Sequence, residues 1–241
     1  MLLEICACNF QSVINAEKAG AHRIELCSEL AVGGLTPSFG LLKQTIYNSK
    51  IPTFVLIRPS SGNFTYSDSE YKIMKQDIQI CKDLGFAGIV SGVLNQDNTV
   101  DIRRTNQLIE LSRPLAFTFH RAFDWVPNPI EALEQLIELG ADRILTSGQA
   151  SSAEEGIDLL KQLKAKAEDR ITILPGGGIN AQNAKLFIDC GFTEIHASAA
   201  QTIKVNKQPK IAMNGPKFFD ETIEVVSDPE KIKGILSSFG F

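Results

Sequence analysis

Glu138-Leu-Gly140-Ala-Asp-Arg-Ile-Leu-Thr-Ser147 closes a helical pattern, turns on a glycine and runs at once into a short apolar strand. The same device recurs at Lys18-Ala-Gly20 to Cys27, Asp83-Leu-Gly85 to Ser91 and Asp189-Cys-Gly191 to Ser198. Each glycine sits where a helix would end in the left-handed conformation that costs other residues a steric penalty. Strands of a second style lie between these segments: Leu2–Ala7, Thr53–Arg58 after Pro52, Leu115–His120 after Pro114, and Ile171–Leu174 before Pro175-Gly-Gly-Gly178. The two styles alternate strictly and give eight strands with helical patterns between them. Eight βα units with short turns read as a single-domain (β/α)8 TIM barrel in the α/β class. An open doubly wound sheet would alternate too, but eight units of near-equal weight in this length favour closure.

Helix starts support the reading. Ser67-x-x-Glu70 and Ser152-x-x-Glu155 are capping boxes, and Asn128-Pro129 puts a cap before a first-turn proline. Asn180 is expected to cap a helix over Ala181–Cys190, and Tyr71, Met74, Ile78 and Cys81 form an apolar stripe at helical spacing. The barrel core is expected over about residues 2–199, within one domain spanning 1–241. Residues 200–226 are polar and irregular, a lid, a barrel plug or an oligomer contact, before a last helix starting at Ser227-Asp-Pro229-Glu230.

The chain has 241 residues, 44% hydrophobic and 22% charged, with a net charge of −4. No basic stripe appears, so nucleic acid is not an expected partner. No apolar window approaches a membrane span and the N-terminus lacks a signal-peptide pattern, so no membrane association is expected. Five cysteines, an odd number, fit a reducing compartment, and the expected location is cytoplasmic.

Function in a barrel gathers at the carboxyl ends of the strands. Alternation sends Glu4, Cys6, Glu25, Cys27, His120, His196 and Ser198 inward, while Leu3, Ile5, Ile24, Leu26, Phe117, Phe119, Ile144 and Ile195 face the helices. Unpaired charges inside a barrel are costly, so these acids and histidines call for a role. One reading is structural: Glu4, Glu25 and Arg58 form a salt-bridge layer. A second is catalytic: His120 acts as acid or base with Glu4 or Glu25 as partner, His196 assists, and Arg58 clamps an anion. A third uses soft ligands. Glu-Ile-Cys6 and Glu-Leu-Cys27 place two thiols at matching depth on neighbouring strands with Cys8 above, a set suited to Cu(I). The alternative for these cysteines is plain core packing. Gly176-Gly177-Gly178 opens a backbone cradle for an anion after the seventh strand, and Arg121, Asp124, Ser147 and Ser198 complete the polar rim. Val32-Gly33-Gly34-Leu35-Thr36-Pro37-Ser38 is a second candidate anion loop.

Taken together, Glu4-Ile-Cys-Ala-Cys8, Arg23-Ile-Glu-Leu-Cys27, Gly33-Gly-Leu-Thr-Pro-Ser38, Ile57-Arg-Pro59, Phe64-Thr-Tyr-Ser67, Thr118-Phe-His-Arg-Ala-Phe-Asp124, Arg143-Ile-Leu-Thr-Ser-Gly148 and Gly176-Gly-Gly-Ile179 resemble the CutC copper-homeostasis family. The match covers Leu3 to about Ala199. It implies a TIM barrel, copper-ion binding in the cytoplasm and a homo-oligomer. Ser60-Ser61-Gly62-Asn63 departs from the family pattern, which places charges of both signs there. Two functions are therefore carried forward: copper binding at Cys6, Cys8 and Cys27 with His120 or His196 as a further ligand, and lyase- or isomerase-type acid–base chemistry on a small polar, sugar-like or phosphorylated substrate.

Overall fold

The computed structural model describes residues 1–204, 211 and 222–240. Eight parallel strands alternate with helices: β1 (Leu2–Ala7), α1 (Phe10–Ala19), β2 (Arg23–Leu26), α2 (Phe39–Asn48), β3 (Thr53–Leu56), α3 (Asp68–Leu84), β4 (Gly88–Ser91), α4 (Ile102–Ser112), β5 (Ala116–Phe119), α5 (Pro129–Glu138), β6 (Arg143–Thr146), α6 (Ile157–Ala167), β7 (Thr172–Pro175), α7 (Ala184–Asp189) and β8 (Glu194–Ala197). The ladder runs β7-β6-β5-β4-β3-β2-β1-β8. A parallel bridge from Gly176 to His196 closes the circle, so the fold is a (β/α)8 barrel. A glycine suits this close approach: a Cβ on Gly176 would lie 3.2 Å from His196 Cβ and 2.5 Å from Leu145 Cδ1.

Two apolar layers follow from the alternation. Leu3, Ile5, Ile24, Leu26, Phe117, Phe119, Ile144 and Ile195 join the helix-facing core. Cys6, Cys27, Phe54, Leu56 and Val90 pack together as a separate cluster inside the barrel. The α3 stripe of Tyr71, Met74, Ile78 and Cys81 is buried, and the Ser67–Glu70 capping box is formed. Asn128 caps α5 ahead of Pro129. Gly20, Gly85, Gly140 and Gly191 all take positive φ after their helices.

Two helix starts differ from expectation. Ser152 Oγ accepts from Glu155 N, but it serves a turn, and α6 begins only after Gly156. Asn180 Oδ1 likewise accepts from Gln182 N in a turn, and α7 starts at Ala184 after Asn183. In both cases the polar side chain closes a local Asx- or Ser-type turn before the helix can begin.

Beyond β8, strands β9 (Ala200–Lys204) and β10 (Ile223–Ser227) pair antiparallel, and α8 (Pro229–Ser237) is capped by Asp228. The ribbon is tied to the first βα turn: Asn9 Nδ2 donates to Val225 O at 2.8 Å, and Ser227 N donates to Ser12 Oγ at 3.0 Å. The remainder of the irregular stretch expected over 200–226 lies outside the described residues. Among the described residues, no helix is long and apolar enough to cross a membrane.

Candidate functional site at the barrel mouth

Strand register builds the floor of the mouth. Glu4 on β1 pairs laterally with Arg23 on β2 and with His196 on β8, which puts an acid between two bases. His196 Nδ1 lies 2.8 Å from Glu4 Oε1, and Arg23 Nε donates to Glu4 Oε2. Arg23 also bonds Glu194, which in turn accepts from Arg143 Nε at 3.1 Å. A buried ionic layer is thus present, but its members are Arg23, Glu4, His196, Glu194 and Arg143. The expected partner Arg58 is elsewhere. Arg23 shares a strand face with Glu25 in Arg-Ile-Glu, so alternation alone would have placed it here.

Charges in this layer set one another. Burial would push the Glu4 carboxyl up, but its bond to His196 and the Arg23 charge outweigh burial and bring it down to about 2. Burial also opposes the His196 charge, yet Glu25, Cys6 and Glu4 together hold the imidazole well above its ordinary value. The pair is an ion pair. Glu25, by contrast, is pushed up by burial to about 6, against the pull of His196. Its Oε2 is buried and has no hydrogen-bond partner among the described residues.

Next above the ionic row come the thiols. Glu25, two residues before Cys27, is the lateral partner of Cys6, so the two cysteines do not sit at matching depth. They meet diagonally: Cys6 Sγ is 3.5 Å from Cys27 Sγ and 3.7 Å from Glu25 Oε1, and both are free thiols. Ligand atoms of Cys6, Glu25 and His196 all lie within 4.8 Å of one another. Its bond with Cys27, and then burial, push the Cys6 thiol well above the usual range. Cys8 departs from the expected set, because its Sγ turns to Val225 O at 3.6 Å on the β9–β10 ribbon.

The opposite wall is made of donors. His120 is buried at the tip of β5 and its Nδ1 accepts from Ala122 N at 3.2 Å. Burial, and then the nearby Arg58 charge, lower the His120 imidazole to about 3, so it is neutral with its proton on Nε2. That Nε2 has no hydrogen-bond partner among the described residues. Phe64 packs on His120 at 4.9 Å between centroids and lies under Arg58 at 5.0 Å. Gly92 leaves room for the ring, since a Cβ there would stand 2.8 Å from His120 Cε1.

Several rim residues play other parts than expected. Arg58 is not a forked anion clamp: Nη1 donates to Val32 O and Gly34 O and Nη2 donates to Gly62 O, while the Tyr66 hydroxyl lies against the same guanidinium and Nε makes no hydrogen bond among the described residues. The Gly33-Gly34 loop therefore presents carbonyls to a cation and is no anion cradle. Asp124 accepts from Arg121 Nε, Thr146 Oγ1 and Ser147 N, and Ser147 Oγ donates to Ala150 O, so Asp124 and Ser147 fix the rim from behind. Arg121, Gly177, Gly178 and Ser198 do line the mouth, with Glu25, Arg58, His120 and His196, around a cavity of about 290 Å³. Phe64, Gly92, Arg23 and Arg143 were not among the residues singled out from the sequence.

The molecule is thus a (β/α)8 barrel whose mouth pairs a thiol–carboxylate–imidazole floor with a wall of nitrogen donors. The CutC family model matches residues 1–201, and the chain belongs to the CutC family. A protein of Photorhabdus laumondii named as a CutC family protein is 44% identical over 98% of this chain and 97% of its own length. The human copper homeostasis protein cutC homolog is 48% identical, covering 96% of this chain and 86% of that protein. The crystal structure of a CutC protein from Streptococcus agalactiae superposes with a TM-score of 0.78 at 36% identity, over 82% of this chain and 98% of that one. An aldolase, QR15, has a TM-score of 0.60 at 17% identity over 81% of this chain and 89% of its own, which shows the shared barrel alone.

Proposed function

We propose that this chain binds Cu(I) at the floor of its barrel mouth, as a cytoplasmic protein of copper homeostasis. Cys6 and Cys27 supply two thiolates and His196 a third donor. The observation that carries this reading is the 3.5 Å approach of two free thiols beside His196. Thiolate and imidazole together suit Cu(I), and a reducing compartment keeps the thiols available. The human relative's name, copper homeostasis protein, points the same way. A homo-oligomer, implied by the family resemblance, is part of this reading.

Binding has a proton cost. The Cys6 thiol is protonated in the free protein, held well above its ordinary range, and His196, raised above its own by the acids around it, also carries a proton that a metal ligand must give up. Copper must displace those protons, so affinity rises with pH. Anaerobic competition against a chromophoric Cu(I) chelator tests the reading. One Cu(I) per chain is expected, with affinity lost by about a hundredfold or more in the Cys6→Ser, Cys27→Ser double variant, since even indirect disturbance of metal ligands costs about 10- to 100-fold. Unchanged affinity in that variant would overturn the proposal.

A second reading has its own support. Glu25, held at about 6, can take and give a proton near neutrality beside the His196 ion pair. The mouth is then a small-molecule site where Glu25 exchanges protons with substrate, and neutral His120 donates a hydrogen bond from Nε2. Arg58 contributes a fixed positive charge. Substrate-dependent proton exchange into deuterated solvent, lost in Glu25→Gln, is the expected signature.

A further inference from the structure

Three buried polar atoms around the mouth find no hydrogen-bond partner among the described residues: His120 Nε2, Arg58 Nε and Glu25 Oε2. All three residues line the same cavity of about 290 Å³. Buried groups of this kind are rarely left alone, and each one costs stability until something satisfies it. Their chemistry is divided by wall. His120 Nε2 and Arg58 Nε are donors, and both side chains are 4% exposed. Glu25 Oε2 is an acceptor on the floor, 4.0 Å from His196 Nδ1.

The donors are held rigidly. Ala122 N fixes the His120 tautomer, three loop carbonyls fix the Arg58 fork, and Phe64 packs against both. Arg121 extends the same sign of charge along the rim, close to the backbone of Gly177, where a Cβ would come within 3.5 Å of its Nη1.

We infer that the cavity binds a small metabolite carrying an oxyanion at one end and a hydroxyl at the other, the oxyanion received by His120 Nε2 and Arg58 Nε and the hydroxyl given to Glu25 Oε2. This rests on the small-molecule reading of the mouth and deepens it. A hydroxycarboxylate and a sugar or polyol phosphate share that chemistry. The cavity volume, at the low end for ligand pockets, limits the occupant to a few carbons.

Isothermal titration of the metal-free protein with glycolate, glycerol 3-phosphate, acetate and glycerol, at constant ionic strength, tests this. At least one of the two bifunctional probes is expected to saturate and to bind more tightly than acetate or glycerol. The preferred one identifies the oxyanion as carboxylate or phosphate. His120→Phe is expected to weaken it by about tenfold or more, the usual scale for one hydrogen bond to a charged group. In the wild-type protein, nitrogen NMR should show the His120 Nε2 resonance shifting as the probe is added, a readout that needs no variant to fold. Absence of saturation for both probes to about 10 mM, an affinity too weak for specific recognition, overturns the inference. So does an unmoved His120 resonance or an equal affinity in His120→Phe. Saturation by glycerol but by neither anion would overturn the oxyanion assignment while leaving the small-molecule reading intact.

Discussion

His120 shows how one side chain can be placed from sequence and still surprise in its chemistry. Alternation along Thr118-Phe-His120 put it inside the barrel, and it is there, buried at the strand tip. Its neutrality was not legible, because that depends first on how completely the fold buries the ring and then on Arg58 arriving from the end of another strand. Arg58 was misread for a related reason: a sequence cannot show that three loop carbonyls will take up its fork. The depressed imidazole has a consequence for stability. The unfolded histidine takes up a proton below its ordinary value of 6.5, whereas the folded one resists until about 3. Protonation therefore favours the unfolded chain, and this contribution is lost as pH falls through that window. Between pH 7 and pH 5 the wild-type protein is expected to lose about 2 kcal/mol more than His120→Phe, a figure that follows from one titrating group at 1.36 kcal/mol per unit. Urea unfolding of both proteins at the two pH values measures it, and equal losses would show that His120 is not held neutral.

Among the elements, those with strong periodicity were legible and those governed by short polar turns were not. β1 was placed over Leu2–Ala7 from pattern alone, and α3 showed its stripe and its cap. α6 and α7 start later than Ser152 and Asn180 implied, since each of these side chains can close a turn as well as a helix. The β9–β10 ribbon escaped because its pairing is non-local and its two short strands are separated by a long polar stretch of sequence. Asn9 joins that ribbon to the barrel with both ends of its amide. Oδ1 caps α1 by accepting from Ser12 N at 2.8 Å, while Nδ2 donates to Val225 O at 2.8 Å. Asn9→Asp separates the two duties, because aspartate caps a helix as well as asparagine but puts an oxygen against the Val225 carbonyl. The expected outcome is an intact α1 and a loss of about 1–3 kcal/mol in the protection of β10. Hydrogen exchange at amides 223–227 reads this directly, and unchanged protection there would mean that other contacts hold the ribbon.

For the whole molecule, the barrel has one seam and one device that spans it. Seven neighbouring strand pairs are joined by ladders, whereas β7 and β8 meet through the single bridge from Gly176 to His196. Across the interior, Arg143 of β6 reaches Glu194 of β8, which also holds Arg23 of β2, and Arg23 reaches Glu4 of β1. The ionic layer thus ties strands on both sides of the seam, a task the backbone performs there only weakly. Alternation could put these charges inside, but their pairing across the circle needs closure to exist first. Glu194→Gln removes the shared acid and leaves Arg143, whose Nη1 is already without a partner, facing the Phe54 ring at 4.9 Å with no counter-charge. Taking one partner from a largely buried ionic group costs about 3–5 kcal/mol, and the slight exposure of this one brings the expectation to about 2–4. The loss should not be uniform. Amides of Ile195–Ala197 are expected to exchange faster in the variant than those of Ile89 and Val90, which sit in β4 on the far side with ladders on both edges. Urea unfolding gives the total and residue-resolved exchange gives its distribution. A drop in stability with exchange accelerated equally around the barrel would show that the layer stabilises the fold as a whole and does not serve the seam.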